Sequence, residues 1–242
     1  MRATIGCMAV GAAPISGGEG SAMVRTRRRD FVELALAYGL ILVVIWTPRP
    51  WQKLLWWVAA AVVATIACLS FDGLKAVGLR RANFLRSLWV AGLALLVAAV
   101  AVLLADRLHT LRLPAGLVAF IETYAAYALW AFVQQFLLQG FFLARLMRLL
   151  PGEKAAALAA ATIFAAAHLP SPILTPVTLI WGFAACLLFL RYRNLYPLAM
   201  AHAILGIAIA VTVPGPVDHN MRVGLGYLTY TRTHHAIHSA QP

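Results

Sequence analysis

Seven apolar runs constrain the fold of this 242-residue chain more than any other feature. A helix needs about 17 to 25 apolar residues to cross a bilayer, and most runs reach that length, although the fourth is long and the fifth has only about 15. The sequence therefore predicts an all-α, polytopic transmembrane helix bundle of about seven spans. The runs cover approximately residues 31–47, 54–70, 87–105, 114–143, 155–169, 173–190 and 196–213.

The composition agrees with a membrane location. Hydrophobic residues make up 62% of the chain, whereas soluble domains contain about 45 to 50% apolar residues. The formal charge of +12 would also fit a nucleic-acid-binding protein, but the cations are scattered through the loops between apolar runs and form no single stripe. We predict that the lipid bilayer is a partner of this chain and that nucleic acid is not.

The distribution of the cations predicts the orientation in the membrane. Fourteen of the 20 Lys and Arg residues fall on one side of the predicted spans, and cytoplasmic loops are enriched in such residues. We therefore expect an integral protein of a bacterial inner membrane, with a cytoplasmic N-terminus and an external C-terminus. The fourteen are Arg2, Arg25, Arg27, Arg28, Arg29, Lys75, Arg80, Arg81, Arg86, Arg145, Arg148, Lys154, Arg191 and Arg193.

The chain divides into four predicted parts. The first is small and Gly-rich and does not resemble a cleaved signal peptide, and Met23, directly before an Arg-rich segment, is an alternative to Met1 as the start of translation. The last is polar and aromatic, and its segment from His219 to Tyr227 is placed to cover the outer mouth of a cavity. The parts are a disordered extension (1–22), N-terminal transmembrane helices (23–113), a core (114–213) and an external tail (214–242).

Five polar side chains interrupt the apolar runs of the core. An amide buried in hydrocarbon without a partner costs about 2 to 7 kcal/mol, so these groups are expected to face one another or a wet cavity. Such groups also serve as interhelical hydrogen bonds that only stabilise the bundle, and that structural role is the alternative. The five are Gln134, Gln135, Gln139, His168 and His202.

Helix geometry places most of these groups at one level. Gln135 and Gln139 are four residues apart and share a helix face, from which Gln134 is displaced by about 100°. The turn at Pro151 lies about 24 Å from Gln134 and about 22 Å from His168 along their helices. His202 is only about 12 Å from the predicted helix start at Asn194, so the sequence alone leaves its level open.

The order of these residues resembles the CAAX protease and bacteriocin-processing family, also called the abortive-infection family. Its members are membrane-embedded endopeptidases with the motifs Glu-Glu-x-x-x-Arg, Phe-x-x-x-His and His-x-x-x-Asn or Asp. The resemblance covers about residues 120–215. It implies a CAAX protease-like fold for the core, a membrane-embedded or lipidated peptide as substrate, and a catalytic site formed by the five polar residues.

Carried over by position, the first motif is altered in this chain. The two glutamates fall on Gln134 and Gln135 and the arginine falls on Gln139, while Phe164 and His168 match the second motif. In the third motif His202 matches, but Gly206 replaces the Asn or Asp. A glutamine cannot act as the general base that the resemblance implies for the first glutamate, because a neutral amide has no basic site near neutral pH.

Three functions follow from this departure. The first is an endopeptidase in which His168 or His202 is the base and the amides position the water or the oxyanion. The second is a catalytically silent scaffold that binds a membrane peptide or lipid, and the third is a small transporter. The resemblance also implies a metal, and zinc is the candidate for His168 and His202, although two histidines are fewer than the three protein ligands of catalytic zinc.

Two further histidines lie four residues apart near the C-terminus, at His234 and His238. This spacing would suit two metal ligands on one helical turn. They have no carboxylate or thiolate nearby, so we interpret them as part of a solvated tail.

Overall fold

The structure, a computed structural model, describes residues 17–71 and 73–230, and within those residues it consists of helices and loops without β-strands. Each of the seven apolar runs falls on a helix, so the all-α prediction is confirmed. The elements are α1 (Gly17–Ile45), α2 (Arg49–Leu69), α3 (Phe84–Ser87), α4 (Trp89–Arg107), α5 (Gly116–Gln135), a π-helical segment (Phe136–Leu143), α6 (Ala144–Leu149), α7 (Glu153–Ala166), α8 (Leu174–Tyr192), α9 (Tyr196–Thr212), α10 (Gly215–Asp218) and α11 (Gly224–Leu228).

Four helical stretches in the described part of the chain are long and apolar enough to cross a bilayer. Helix α9 is apolar but shorter, and α7 has only 14 residues. The chain is an integral membrane protein, while the predicted number of seven spans and the orientation of the termini stay predictions. The four stretches are Arg49–Leu69, Phe84–Arg107, Gly116–Leu149 and Leu174–Tyr192.

The N-terminal boundary differs from the sequence-based expectation. Helix α1 already begins at Gly17, so residue 22 is not a boundary of secondary structure. Met23 lies within this helix, and its role as a start site stays a prediction. Residues 1–16, His234 and His238 lie outside the described residues.

Two ion pairs join α1 to α6 at the end of the bundle that carries Arg29 and Arg148, which we call the basic end. Arg148 donates two hydrogen bonds of 2.7 Å to the Asp30 carboxylate. Arg145 donates to Glu33 Oε2 from Nε at 2.9 Å and from Nη2 at 2.6 Å. Both arginines were expected in a loop, but they lie in helix α6. Arg145 is buried, which is tolerated because its charge is paired with that of Glu33.

Helix α9 begins beneath a covering loop. The Asn194 side chain accepts a hydrogen bond from the Tyr196 backbone N–H and donates to the carbonyls of Arg80 and Ala82. The prediction that Asn194 is the N-cap is wrong by one residue, because Leu195 is the N-cap and its carbonyl accepts the first intrahelical bond, from the Ala199 N–H. Pro197 lies in the first turn as predicted. The loop buries Asn194 completely, so its amide fixes the loop over the start of α9.

Helix α7 packs closely on α8 because its contact face consists of alanine. Ala156, Ala157, Ala160 and Ala161 are fully buried, and small residues let transmembrane helix backbones approach closely. Opposite them, a Cβ added at Gly182 would lie 3.3 Å from the Ala161 Cα. This contact brings the end of α7, which carries Phe164, against the middle of α8.

The opposite end of the bundle, which we call the tail end, is covered by residues 214–230. The Gly224 N–H donates to the Leu169 carbonyl at 2.7 Å, and Arg112 binds Asn220 Oδ1 and the last carbonyls of α9. The His219 ring stacks on Tyr227 and Tyr230. The segment is therefore a shaped cover at this end, beside the turn that follows His168.

Candidate functional site

Three of the five polar side chains form one hydrogen-bonded line, which we call the amide line. Gln139 Nε2 donates to Gln135 Oε1 at 2.7 Å. Gln135 Nε2 lies 2.6 Å from His202 Nδ1. Both amides are completely buried and His202 is 6% exposed. Helices α5 and α9 are thus joined at the level where the sequence predicted a polar site.

A π-helical segment follows Gln135 and contains Gln139. A π-helical turn closes its hydrogen bonds at i+5 and holds more residues than an α-helical turn. Residues four apart share a face in an α-helix as well, so the contact between the two amides does not depend on the wider turn. Single π-turns within α-helices are frequently found at functional sites. The residue types predict an α-helix here, and none of them signals the wider turn.

His168 lies near the amide line, and the Phe164 ring contacts both His168 and His202. The Phe164 ring centroid is 4.8 Å from that of His168 and 5.7 Å from that of His202, with edge-to-face geometry in both contacts. The two imidazoles are therefore no farther apart than the sum of these distances. The Phe-x-x-x-His pattern thus has a physical role, because the phenyl ring contacts both histidines.

The hydrogen bonds give the two imidazoles opposite tautomers. His168 Nδ1 lies 2.7 Å from the Phe164 carbonyl, which only accepts, so Nδ1 carries the proton and Nε2 has a free lone pair. His202 Nδ1 faces the Gln135 amide N–H, which only donates, so its proton is on Nε2. This assignment depends on the orientation of the Gln135 amide. In this arrangement one histidine accepts a proton and the other donates a hydrogen bond.

Two polar atoms near this pair have no hydrogen-bond partner among the described residues. They are Gln139 Oε1 and Trp181 Nε1, both buried. The Trp181 ring centroid lies 6.4 Å from that of His202, so an indole N–H donor belongs to the same neighbourhood. Buried groups without partners are rare and point to a bound water or ligand. Trp181 was not predicted, because one tryptophan in an apolar helix carries no sequence signal of its own.

Gln134 stands apart from the amide line. Its side chain is half-buried and makes no hydrogen bond with any described residue. Its displacement by about one-quarter of a turn from Gln135 agrees with the helical geometry that the sequence implied. The expectation that all five residues share one cavity is therefore untested for Gln134.

A sixth polar group, which the sequence analysis missed, lies beside Gly206. A Cβ added at Gly206 would overlap the Tyr127 hydroxyl oxygen and lie 2.5 Å from Tyr127 Cζ. The hydroxyl end of Tyr127 thus occupies the space of a side chain at position 206, one turn after His202. A glycine at the motif position that carries Asn or Asp in the resemblance was the only signal that another residue fills this space.

The donor set does not fit a zinc ion. No group of three or more His, Cys, Asp and Glu side chains comes together between residues 17 and 71 or 73 and 230. His202 Nδ1 is already hydrogen-bonded to Gln135. Catalytic zinc has three protein ligands, most often His, Cys and carboxylates, and amides are poor replacements. We therefore derive no chemistry through a metal.

An apolar groove of about 280 Å³ is lined by residues of α5 and α9, the two helices that the amide line joins. Ala199 and Ala203 of α9, which lie on either side of His202 in the sequence, line it together with Phe132 of α5. Tyr196 and Phe84 close its basic end. The groove is open to the region that lipid would occupy.

Comparison with known proteins agrees with the motif order. Residues 115–208 match the family model of type II CAAX prenyl endopeptidase Rce1-like proteins. No curated protein and no solved structure matches the chain. The matched segment contains the amide line, both imidazoles and Trp181. The predicted resemblance to the CAAX protease and bacteriocin-processing family is thereby confirmed for the core of this integral membrane protein.

Proposed function

We propose that this chain is an intramembrane endopeptidase that hydrolyses a peptide bond in a lipidated or membrane-inserted protein tail, with His168 as the general base and His202 as a hydrogen-bond donor. The observation that carries the proposal is the pair of imidazoles held in opposite tautomers on either side of Phe164. Hydrolysis needs one group that accepts a proton from water and one that stabilises the developing oxyanion.

The proposed reaction balances without a metal or a carboxylate. His168 Nε2 accepts a proton from water as the water oxygen bonds to the carbonyl carbon of the peptide. The resulting oxyanion accepts hydrogen bonds from His202 Nε2–H and from the indole N–H of Trp181, which has no partner among the described residues. When the C–N bond breaks, the proton on His168 is transferred to the leaving amine.

Gln135 and Gln139 are positioning residues in this proposal. The Gln135 amide donates to His202 Nδ1 and so keeps the proton on Nε2, where it faces the oxyanion. Gln139 in turn donates to Gln135 Oε1 and restricts the rotation of that amide. Amides at these positions therefore perform a task that requires hydrogen bonds but no charge.

The lateral groove supports a substrate that enters from the bilayer. Its lining is almost entirely apolar, with Phe132, Ala199 and Ala203 on its walls. Transfer of a prenyl or acyl chain from water to an apolar environment gains about 0.8 kcal/mol per CH₂. The bilayer and the groove both provide such an environment, so a lipidated tail can pass from the membrane into the groove at little cost. The scissile peptide would follow the lipid toward His202.

The test is cleavage of a fluorogenic prenylated peptide with a CAAX ending by the protein reconstituted in lipid nanodiscs. We expect the wild-type chain to cleave it and His168→Ala to lower kcat by about 10²- to 10⁴-fold, the usual contribution of a general base. The matched control is His109→Asn at an exposed position with a positive φ angle, which should retain wild-type activity. Equal activity of His168→Ala and wild type would contradict the proposal.

A silent peptide-binding scaffold is the second candidate, because the amide line contains no carboxylate. For this candidate the wild-type protein binds the prenylated peptide without cleaving it. Gln134→Glu should then create cleavage, since it restores a carboxylate at the motif position of the general base. If wild-type cleavage is present and Gln134→Glu leaves it unchanged, the silent scaffold is excluded.

A further inference from the structure

We infer that the Tyr127 hydroxyl is a substrate-binding group of this site and donates a hydrogen bond to a backbone carbonyl of the bound peptide. The inference rests on the proposed function only in that the site holds a membrane peptide; it does not require that the peptide is cleaved. It starts from the contact between Tyr127 and Gly206, which joins α5 to α9 one turn from His202.

The contact places the hydroxyl on the same face of α9 as His202. Residues four apart share a helix face, and the Cα–Cβ bond of each helical residue tilts toward the helix N-terminus. A side chain at position 206 would therefore start toward His202. The Tyr127 hydroxyl oxygen overlaps the place of that Cβ, so it lies where a polar side chain on α9 would lie.

The absence of a side chain at position 206 is what admits the hydroxyl. Tyr127 Cζ and Cε1 would be 2.5 and 2.8 Å from an added Cβ, well below van der Waals contact. Gly206 is buried, and a glycine in a helix costs about 1 kcal/mol relative to alanine. The approach of Tyr127 accounts for this glycine, whereas packing alone would be served by alanine and a smaller partner.

The hydroxyl has hydrogen-bonding capacity to spare. Within residues 26–71 and 73–230 it makes no hydrogen bond with another side chain or with the backbone. A phenol O–H at membrane depth gains from a partner, because lipid offers none. The Trp181 indole N–H, whose ring centroid lies 6.4 Å from that of His202, also has no partner among the described residues. Two unused donors in the neighbourhood of His202 are suited to the carbonyls of a backbone that runs past the imidazole.

The test measures binding of a fluorescent prenylated CAAX peptide whose scissile amide is N-methylated, in nanodiscs. Tyr127→Phe removes only the hydroxyl and should raise Kd about three- to tenfold, the value of one hydrogen bond. The control is Tyr124→Phe on the same helix, whose ring pairs with Phe120; its Kd should equal that of the wild type. Equal Kd values for Tyr127→Phe and wild type would overturn the inference.

A swap between the two helices separates a binding role from a packing role. Tyr127→Ala removes the hydroxyl and opens the space at position 206. Adding Gly206→Asn to Tyr127→Ala puts an amide donor into that space and should recover at least half of the lost binding free energy. Adding Gly206→Ala fills space without a donor and should recover none. If both double variants bind alike, Tyr127 acts only through packing and the inference is wrong.

The failure of this inference is distinguishable from the failure of the proposed function. If His202→Ala and Tyr127→Phe both leave Kd unchanged, or if the wild type does not bind the peptide, the site does not hold a peptide and both proposals fall. If His202→Ala weakens binding and Tyr127→Phe does not, the peptide-binding site stands and the role of Tyr127 is refuted.

Discussion

Two buried polar groups of this chain differ in charge and in how completely their hydrogen bonds are satisfied. At the basic end, Arg145 pairs with Glu33 and also donates to Ser70 Oγ and the Phe141 carbonyl. In the amide line, Gln139 leaves its Oε1 atom without a partner in the described part of the chain. The hydrogen bonds of the ion pair are made within the protein, whereas the amide line retains a hydrogen-bond acceptor for a ligand.

This difference indicates how a polar group in a membrane bundle can be interpreted. The Arg145 guanidinium uses four of its five N–H groups on Glu33, Ser70 and Phe141, so its main role is to join helices. A neutral line with an unused atom next to two imidazoles stabilises less but stays available. Polarity at membrane depth is thus insufficient evidence for a site, and incomplete satisfaction is the more specific sign.

The largest effect that the comparison predicts is on stability, at the basic end. Arg145→Ala removes two charge-assisted hydrogen bonds from Glu33, which keeps its bonds from Arg29 and Ser70, and at about 1.5 kcal/mol or more per bond the loss is about 3 kcal/mol. The free energy of unfolding, measured by SDS titration in mixed micelles, should fall by that amount. Lys154→Ala, at an exposed position in α7, is the control and should stay within about 0.5 kcal/mol of wild type. A similarly small effect of Arg145→Ala would contradict the role of the Arg145–Glu33 pair in stabilising the helix bundle.

Gln135→Leu should have a smaller effect on stability and a larger one on activity. It leaves His202 Nδ1 and a Gln139 N–H without partners, at a cost of about 1 to 3 kcal/mol. It also frees the tautomer of His202, so cleavage should fall at least tenfold. Gln134→Leu, on the same helix but outside the amide line, should not lower the free energy of unfolding. If Gln135→Leu lost stability but kept full activity, the amide line would have only a structural role, like the ion pair of Arg145 and Glu33.

Asp218 at the tail end is a buried carboxylate, like the groups at the basic end, but has an atom that is unsatisfied within the described residues, like Gln139. We expect its effect to be the smallest of the three. Its carboxylate is buried, Oδ2 has no hydrogen-bond partner within residues 17–71 and 73–230, and burial raises its pKa more than the Asn220 N–H and Arg112 lower it. The folded state therefore binds this proton more tightly than the unfolded state. Stability is greatest below the ordinary pKa of Asp and is lost as the pH rises from about 4 through the raised value.

The check is the pH dependence of thermal unfolding in detergent. Asp218→Asn cannot ionise, so its midpoint should change less between about pH 4 and 7 than that of wild type. A wild-type midpoint that rises over this range relative to the variant would show that the carboxylate is stabilised by a partner, as at the basic end.

The sequence was sufficient for the helices and for the shared face of Gln135 and Gln139. Apolar runs determined the helix positions, and the spacing of Gln135 and Gln139 determined their shared face. The pairing of Arg145 with Glu33 was not predictable, because a loop and a helix end look alike when cations follow an apolar run. The π-turn and the Tyr127–Gly206 contact arise from packing between helices that are distant in sequence, which no local pattern records.

The most direct test of the account is the protonation of the two imidazoles, because the proposed chemistry depends on their opposite tautomers. ¹⁵N NMR of histidine-labelled protein in nanodiscs, with His168→Gln and His202→Gln used for assignment, reports which ring nitrogen carries the proton. The account predicts a proton on Nδ1 of His168 and on Nε2 of His202, with both Nε2 resonances shifting when the N-methylated peptide is added. The same tautomer on both rings, or no shift with peptide, would contradict it.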